Sequence, residues 1–123
     1  MTVLIDSWAW IEFFRGSTAG LNVKRYIESE EDLVVSTINI AEVYRWILRY
    51  YNETIAEEKL AAMKDRCTAI DVDERIAVDA ARIGNELKWG LGDSIVRATA
   101  NQEDAGILTG DSDFKGMKDV IFL

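Results

Sequence analysis

The chain predicts an α/β protein built on a parallel sheet, and three observations carry that prediction. Short apolar runs rich in Val and Ile recur along the 123 residues, stretches with helical spacing separate them, and no repeat, linker or low-complexity segment intervenes. Parallel strands need crossover connections, which helices supply, so the alternation implies a sheet covered on both faces. The length suits one domain over residues 1–123.

In chain order, Val3-Leu4-Ile5 reads as a buried strand, and Ser7 to Arg15 follows with Trp8, Ile11 and Phe14 along one helical side. A second helix over 19–28 carries Leu21 and Tyr26, ahead of a strand at 33–35. The stretch STINIAEVYRWILRYY puts Ile40, Tyr44, Ile47 and Leu48 at helical spacing. Asn52 is placed to cap a fourth helix through Ile55, Leu60 and Met63, and AIDV at 69–72 reads as the third strand. Asp73 is placed to cap a longer fifth helix with Ile76, Ala80, Ile83 and Leu87. A last helix is expected from about Asp93 to Asn101, followed by strands at 106–109 and 120–122.

Composition narrows the chemistry. A hydrophobic fraction of 49% is that of a globular protein, and no apolar run approaches the roughly 20 residues of a membrane span. The opening MTVLIDSW has no basic start and is interrupted by Asp6, and Cys67 stands alone, so the expected location is the cytoplasm. Fourteen Lys and Arg against 22 Asp and Glu give a net charge of −8, which argues against a broad basic footprint for nucleic acid. There is no histidine, which excludes an imidazole base, a His-bound zinc and a Ser-His triad. Carboxylates, hydroxyls and cations remain.

In open parallel sheets, ligands bind beyond the carboxyl ends of the strands, where the strand order reverses. Asp6 directly follows the first strand, and Asp111 and Asp113 follow the fourth, so their carboxylates meet if those strands are neighbours. Glu42 lies on a helix side with Ile38 and Trp46, and Asp93 opens the helix in GLGDSIVRATA. Each acid also fits a plainer role. Asp6 and Asp93 suit N-caps, Glu42 could pair with Arg45 and Asp93 with Arg97, and Asp111 with Asp113 suits a polar turn. Two unit charges about 4 Å apart repel by roughly 4 kcal/mol at an effective dielectric of about 20, so several carboxylates converge only around a cation. Oxygen-only ligands select Mg²⁺ or Mn²⁺ over zinc or copper.

The runs LIDSWAWIEFF, STINIAEVYRW, GLGDSIVRATA and ILTGDSDFKGMKDVIFL, in that order and spacing, resemble the PIN domain, and within it the VapC toxins of bacterial and archaeal toxin–antitoxin modules. The resemblance spans essentially the whole chain. It implies a three-layer α/β/α fold with a five-stranded parallel sheet and a metal-dependent endoribonuclease that cuts RNA phosphodiester bonds. The family's acidic quartet falls on Asp6, Glu42, Asp93 and Asp111, with Asp113 as a frequent fifth acid and Thr109 as the hydroxyl beside the site. On this reading Asp6, Asp93 and Asp111 bind the ion, while Glu42 binds a second ion or orients the attacking water. Arg15, Arg97 and Lys115 are candidate contacts to the RNA backbone. Gly110 departs from the family pattern, which often has a larger, basic residue there. The resemblance also implies a cognate antitoxin and a homodimer, for which the aromatic-rich RWILRYYN at 45–52 is the expected surface. A non-catalytic PIN scaffold is the main alternative. A receiver-type signalling domain fits less well, because it needs paired acids after its first strand and Asp6 has no acidic neighbour.

Overall fold

Strand β1 (Thr2–Ile5) has no polar face: Val3, Leu4 and Ile5 are all fully buried, as a central strand covered on both sides requires. The computed structural model describes residues 1–123. After β1 come α1 (Ser7–Arg15), α2 (Thr18–Ile27), β2 (Asp32–Ser36), α3 (Thr37–Tyr50) and α4 (Glu53–Arg66). Then follow β3 (Thr68–Ile70), α5 (Glu74–Leu87), α6 (Leu91–Gln102), β4 (Gly106–Thr109), a 3₁₀ turn at Ser112–Phe114 and β5 (Val120–Phe122).

The five strands form one parallel sheet in the order β3-β2-β1-β4-β5. Alternation along the strands splits the core into layers. Val3, Ile5, Leu33 and Val35 pack with Ala9, Trp10 and Val43 on one face. Leu4, Val34 and Ile107 pack with Val96, Ala100 and Phe114 on the other, and α5 adds Ile76 and Ala80 against α6. The result is the expected three-layer α/β/α arrangement. The chain leaves β1 toward β2 on one side and returns to β4 on the other, so the strand order reverses between β1 and β4, opening the crevice where their carboxyl ends lie.

The caps at Asn52 and Asp73 form as expected, each side chain accepting a 2.9 Å bond from the amides of Ile55 and Ile76. Three helical faces and one helix start differ from the sequence reading. On α1, Ala9 and Trp10 are the fully enclosed residues, while Trp8, Ile11 and Phe14 are half-buried, because α1 is flanked by α2 and α3 as well as by the sheet. On α2, Gly20 and Val23 face inward and Leu21 is exposed. A Cβ on Gly20 would stand 2.3 Å from the Glu12 carbonyl oxygen, so the closest approach of α1 and α2 turns that face in. On α3, the buried residues are Asn39, Val43 and Ile47, so of the expected Ile40, Tyr44, Ile47 and Leu48 only Ile47 is enclosed and the inward face is turned by one position from the others. Ser36 and Asn39 form a capping box that fixes this rotation. Helix α6 begins at Leu91 with Gly90 as N-cap, which puts Asp93 inside the first turn rather than at its opening. No helix is long and apolar enough to cross a membrane.

Candidate active site

Asp6 occupies the N-cap position of α1, yet its side chain makes no cap bond. Its Oδ2 instead accepts a 2.8 Å bond from the Thr109 hydroxyl at the end of β4, and its Oδ1 a 3.3 Å bond from Asn39 Nδ2 at the start of α3. Burial pushes its carboxyl up to about 6, and the charges of Glu42 and Asp111 push in the same direction, against the stabilising bonds from Thr109 and the Ser7 amide. Glu42 does not pair with Arg45. Its Oε1 accepts a 2.7 Å bond from Ser7 Oγ, which in turn accepts a 2.9 Å bond from Asn39 Nδ2. Asn39 thus ties Asp6 and Ser7 together, and Ser7 holds Glu42. A Cβ on Gly92 would lie 3.5 Å from Glu42 Oε2, an ordinary contact distance, so the first turn of α6 stands directly beside this carboxylate.

The remaining acids form a tighter group. Carboxylate oxygens of Asp93, Asp111 and Asp113 lie within 4.8 Å of one another. Asp111 caps the 3₁₀ turn by accepting a 3.0 Å bond from the Asp113 amide, and its own amide donates to Thr109 Oγ1 at 3.0 Å. The Asp93 carboxyl is pushed up to about 7, first by burial, then by a hydrogen bond shared with Asp113 and by the charges of Asp111, Asp113 and Asp6. The alternative Asp93–Arg97 pair does not form, and the chain's ion pairs involve none of the five acids. Asp93, Asp111 and Asp113 form a close all-oxygen group with no cationic side chain paired to it, Asp6 and Asp93 hold their protons more tightly than usual, and oxygen donors of this kind suit Mg²⁺ or Mn²⁺.

The candidate substrate residues are placed less uniformly. Thr109 has no exposed surface, so its hydroxyl is in no position to touch a substrate and instead links Asp6 to the Asp111 backbone. Arg15 pairs with Glu12 at 3.1 Å and lines a groove with Trp46, Tyr50 and Tyr51. Arg97 donates to the Lys118 carbonyl at 3.0 Å, and Lys115 lies 5.7 Å above the Phe122 ring. Ser7 and Asn39 were absent from the sequence candidates. Ser7 adjoins Asp6 and Asn39 sits one helical turn before Glu42, but those spacings acquire meaning only once β1 and α3 are side by side.

The model of the PIN domain matches residues 3–120. This chain belongs to the PIN domain family. A VapC ribonuclease of Mycobacterium bovis and ribonuclease VapC11 of Mycobacterium tuberculosis are each 30% identical to this PIN domain over 118 residues, covering 91% of it and 88% of the relative. Among solved structures, a toxin–antitoxin complex from Klebsiella pneumoniae superposes with a TM-score of 0.79 at 25% identity, covering 97% of this PIN domain and 95% of that chain. The sarcin–ricin-loop-cleaving toxin VapC20 of M. tuberculosis shares the fold, with a TM-score of 0.80 at 14% identity and 98% of both chains covered.

Proposed function

We propose that this PIN domain is the ribonuclease toxin of a toxin–antitoxin pair, hydrolysing RNA phosphodiester bonds with a divalent ion, Mg²⁺ or Mn²⁺, held by Asp6, Asp93, Asp111 and Asp113. The observation that carries this reading is the convergence of uncompensated carboxylates at the β1–β4 crevice. When bound, such an ion supplies positive charge against the phosphate and makes water a better nucleophile at neutral pH. It also gives a protein of net charge −8 a local site for a polyanion. The chain itself supplies order. Thr109 and Asn39 fix both oxygens of Asp6, and Ser7 fixes Glu42 Oε1. Held in this way, Glu42 is the group to orient the attacking water and accept its proton. The 30% identity to VapC ribonucleases supports the reaction class.

The partner reading rests on α3. Leu48, Tyr50 and Tyr51 are 47%, 59% and 56% exposed, and beside them Phe14, Trp46 and Ile55 line a groove of about 280 Å³. A surface of this apolarity is suited to a second copy of the chain and to an antitoxin. Mg²⁺ or Mn²⁺ should support cleavage of single-stranded RNA, and excess EDTA should stop it. Cleavage that persists in EDTA, with contaminating ribonuclease excluded, would sink the metal-dependent reading.

A further inference from the structure

Gly110 separates Thr109 from Asp111 at the exit of β4, between a residue that bonds Asp6 and one of the clustered acids. A Cβ there would stand 2.4, 2.5 and 2.7 Å from Cη2, Cζ3 and Cζ2 of Trp8. The benzo ring of Trp8 therefore fills the space that any side chain at position 110 would need. Trp8, on α1, lies two residues after Asp6, and its ring touches the residue that precedes Asp111, so it stands next to both acids along the chain. It is half-buried rather than enclosed. Trp10, Trp46 and Trp89 each pair with another aromatic ring of the protein, whereas Trp8 pairs with none. An aromatic ring beside a phosphate-directed site, with no partner ring inside the fold, has the chemistry that receives an unstacked nucleobase.

We propose that Trp8 is a substrate-contacting residue: its indole, seated on the bare backbone of Gly110, stacks on one unpaired base of the RNA strand whose phosphate lies at the acids. This inference rests on the ribonuclease reading above. It also suits an acidic protein, because stacking adds RNA affinity without adding a cation. Trp8 is packed against the core, so its side chain is held in place before the substrate arrives rather than ordered by it.

The test separates stacking from packing. Binding of a short fluorescein-labelled single-stranded RNA of mixed sequence is measured by anisotropy with Mn²⁺, in an Asp111→Asn background that leaves the RNA intact. Trp8→Leu should weaken binding about tenfold while Trp8→Phe stays within about threefold of the parent, because leucine keeps apolar volume and phenylalanine keeps a stacking face. Gly110→Ala should weaken binding as Trp8→Leu does, since its Cβ displaces the ring. In an RNA scanned with abasic nucleotides, one position should weaken parent binding by the same factor and leave the Trp8→Leu protein unaffected. Thermal melts confirm that each variant is folded. Equal affinity of Trp8→Leu and the parent, or equal losses in Trp8→Leu and Trp8→Phe, would overturn the proposal. Cleavage by the parent protein reports on the ribonuclease reading separately, so a binding loss without parental cleavage would retain Trp8 as an RNA contact and reject the enzyme.

Discussion

Asp6 and Asp93 both hold protons unusually tightly, but their neighbours differ, and so should the effects of replacing them. Asp93 faces carboxylates, so Asp93→Asn removes repulsion and should leave the metal-free protein as stable as the parent or more so. Asp6 faces donors from Thr109 and Asn39, so Asp6→Asn sets an amide N–H against another donor, which costs about 1–3 kcal/mol and offsets the relief. Both changes should lower cleavage at least about a hundredfold, read in an RNA cleavage assay. Both carboxyls lie above their ordinary 3.8, at about 6 and about 7, so in that window the folded chain binds more protons than the unfolded one. Their stabilising contribution is complete below the ordinary value and is lost as pH rises through about 6 to 7. In EDTA the urea midpoint should therefore fall between about pH 5 and about pH 7.5, and Asp93→Asn should flatten the upper part of that fall. A midpoint with the same pH profile in parent and variant would rule this out. Asp113, ranked by sequence as a fifth acid, shares the tight group with Asp93 and Asp111. Asp113→Asn should weaken Mn²⁺ binding as much as Asp111→Asn does, checked by titrating the metal-induced rise in melting temperature.

Among the elements, the junction of α2 and β2 depends on a cation far along the chain. Arg66, the last residue of α4, donates to the carbonyls of Ile27, Ser29 and Glu31 at 2.6, 3.0 and 2.8 Å. These include orphan acceptors at the end of α2, and the guanidinium fork reaches them together. Arg66→Ala should lower unfolding stability by roughly 2–3 kcal/mol, and Arg66→Lys should recover less than half of that, because an ammonium cannot span the set. Urea denaturation of the three proteins measures both. The site is remote from this junction, so cleavage per folded molecule should not change. The contact between α1 and α2 is equally specific: with the Glu12 carbonyl 2.3 Å from a Cβ at position 20, Gly20→Ala should force the helices apart at a cost of about 1–3 kcal/mol.

For the whole molecule, the proposed function links folding to metal and to a partner. A divalent ion that binds only the folded chain should stabilise it by about 2.7 kcal/mol at a hundredfold excess over Kd, with the gain shrinking in Asp93→Asn and Asp111→Asn. Leu48, Tyr50 and Tyr51 leave α3 with apolar surface that the chain does not cover. Tyr51→Glu should shift the protein from dimer to monomer by light scattering at tens of micromolar without lowering its melting temperature by more than about 3 °C. A parent protein that is monomeric under those conditions would reject the dimer.

Residues alone determined the element types, because the apolar runs of β1 and β2 and the caps at Asn52 and Asp73 are local signals. They also excluded histidine chemistry and placed Asp6 and Asp111 at the ends of strands that proved adjacent. Only the tertiary structure decided which faces of α1, α2 and α3 turn inward, because α1 and α3 each pack against several elements and α2 is set by its close approach to α1. It decided as well that Thr109 is a buried link, that Ser7 and Asn39 hold the acids, that Asp113 joins the tight group and that Trp8 covers Gly110. Most of these contacts join residues far apart in sequence: Thr109 and Asp6 are separated by 103 positions. Local propensity carries no information on such distances, which are set by the order in which the strands assemble.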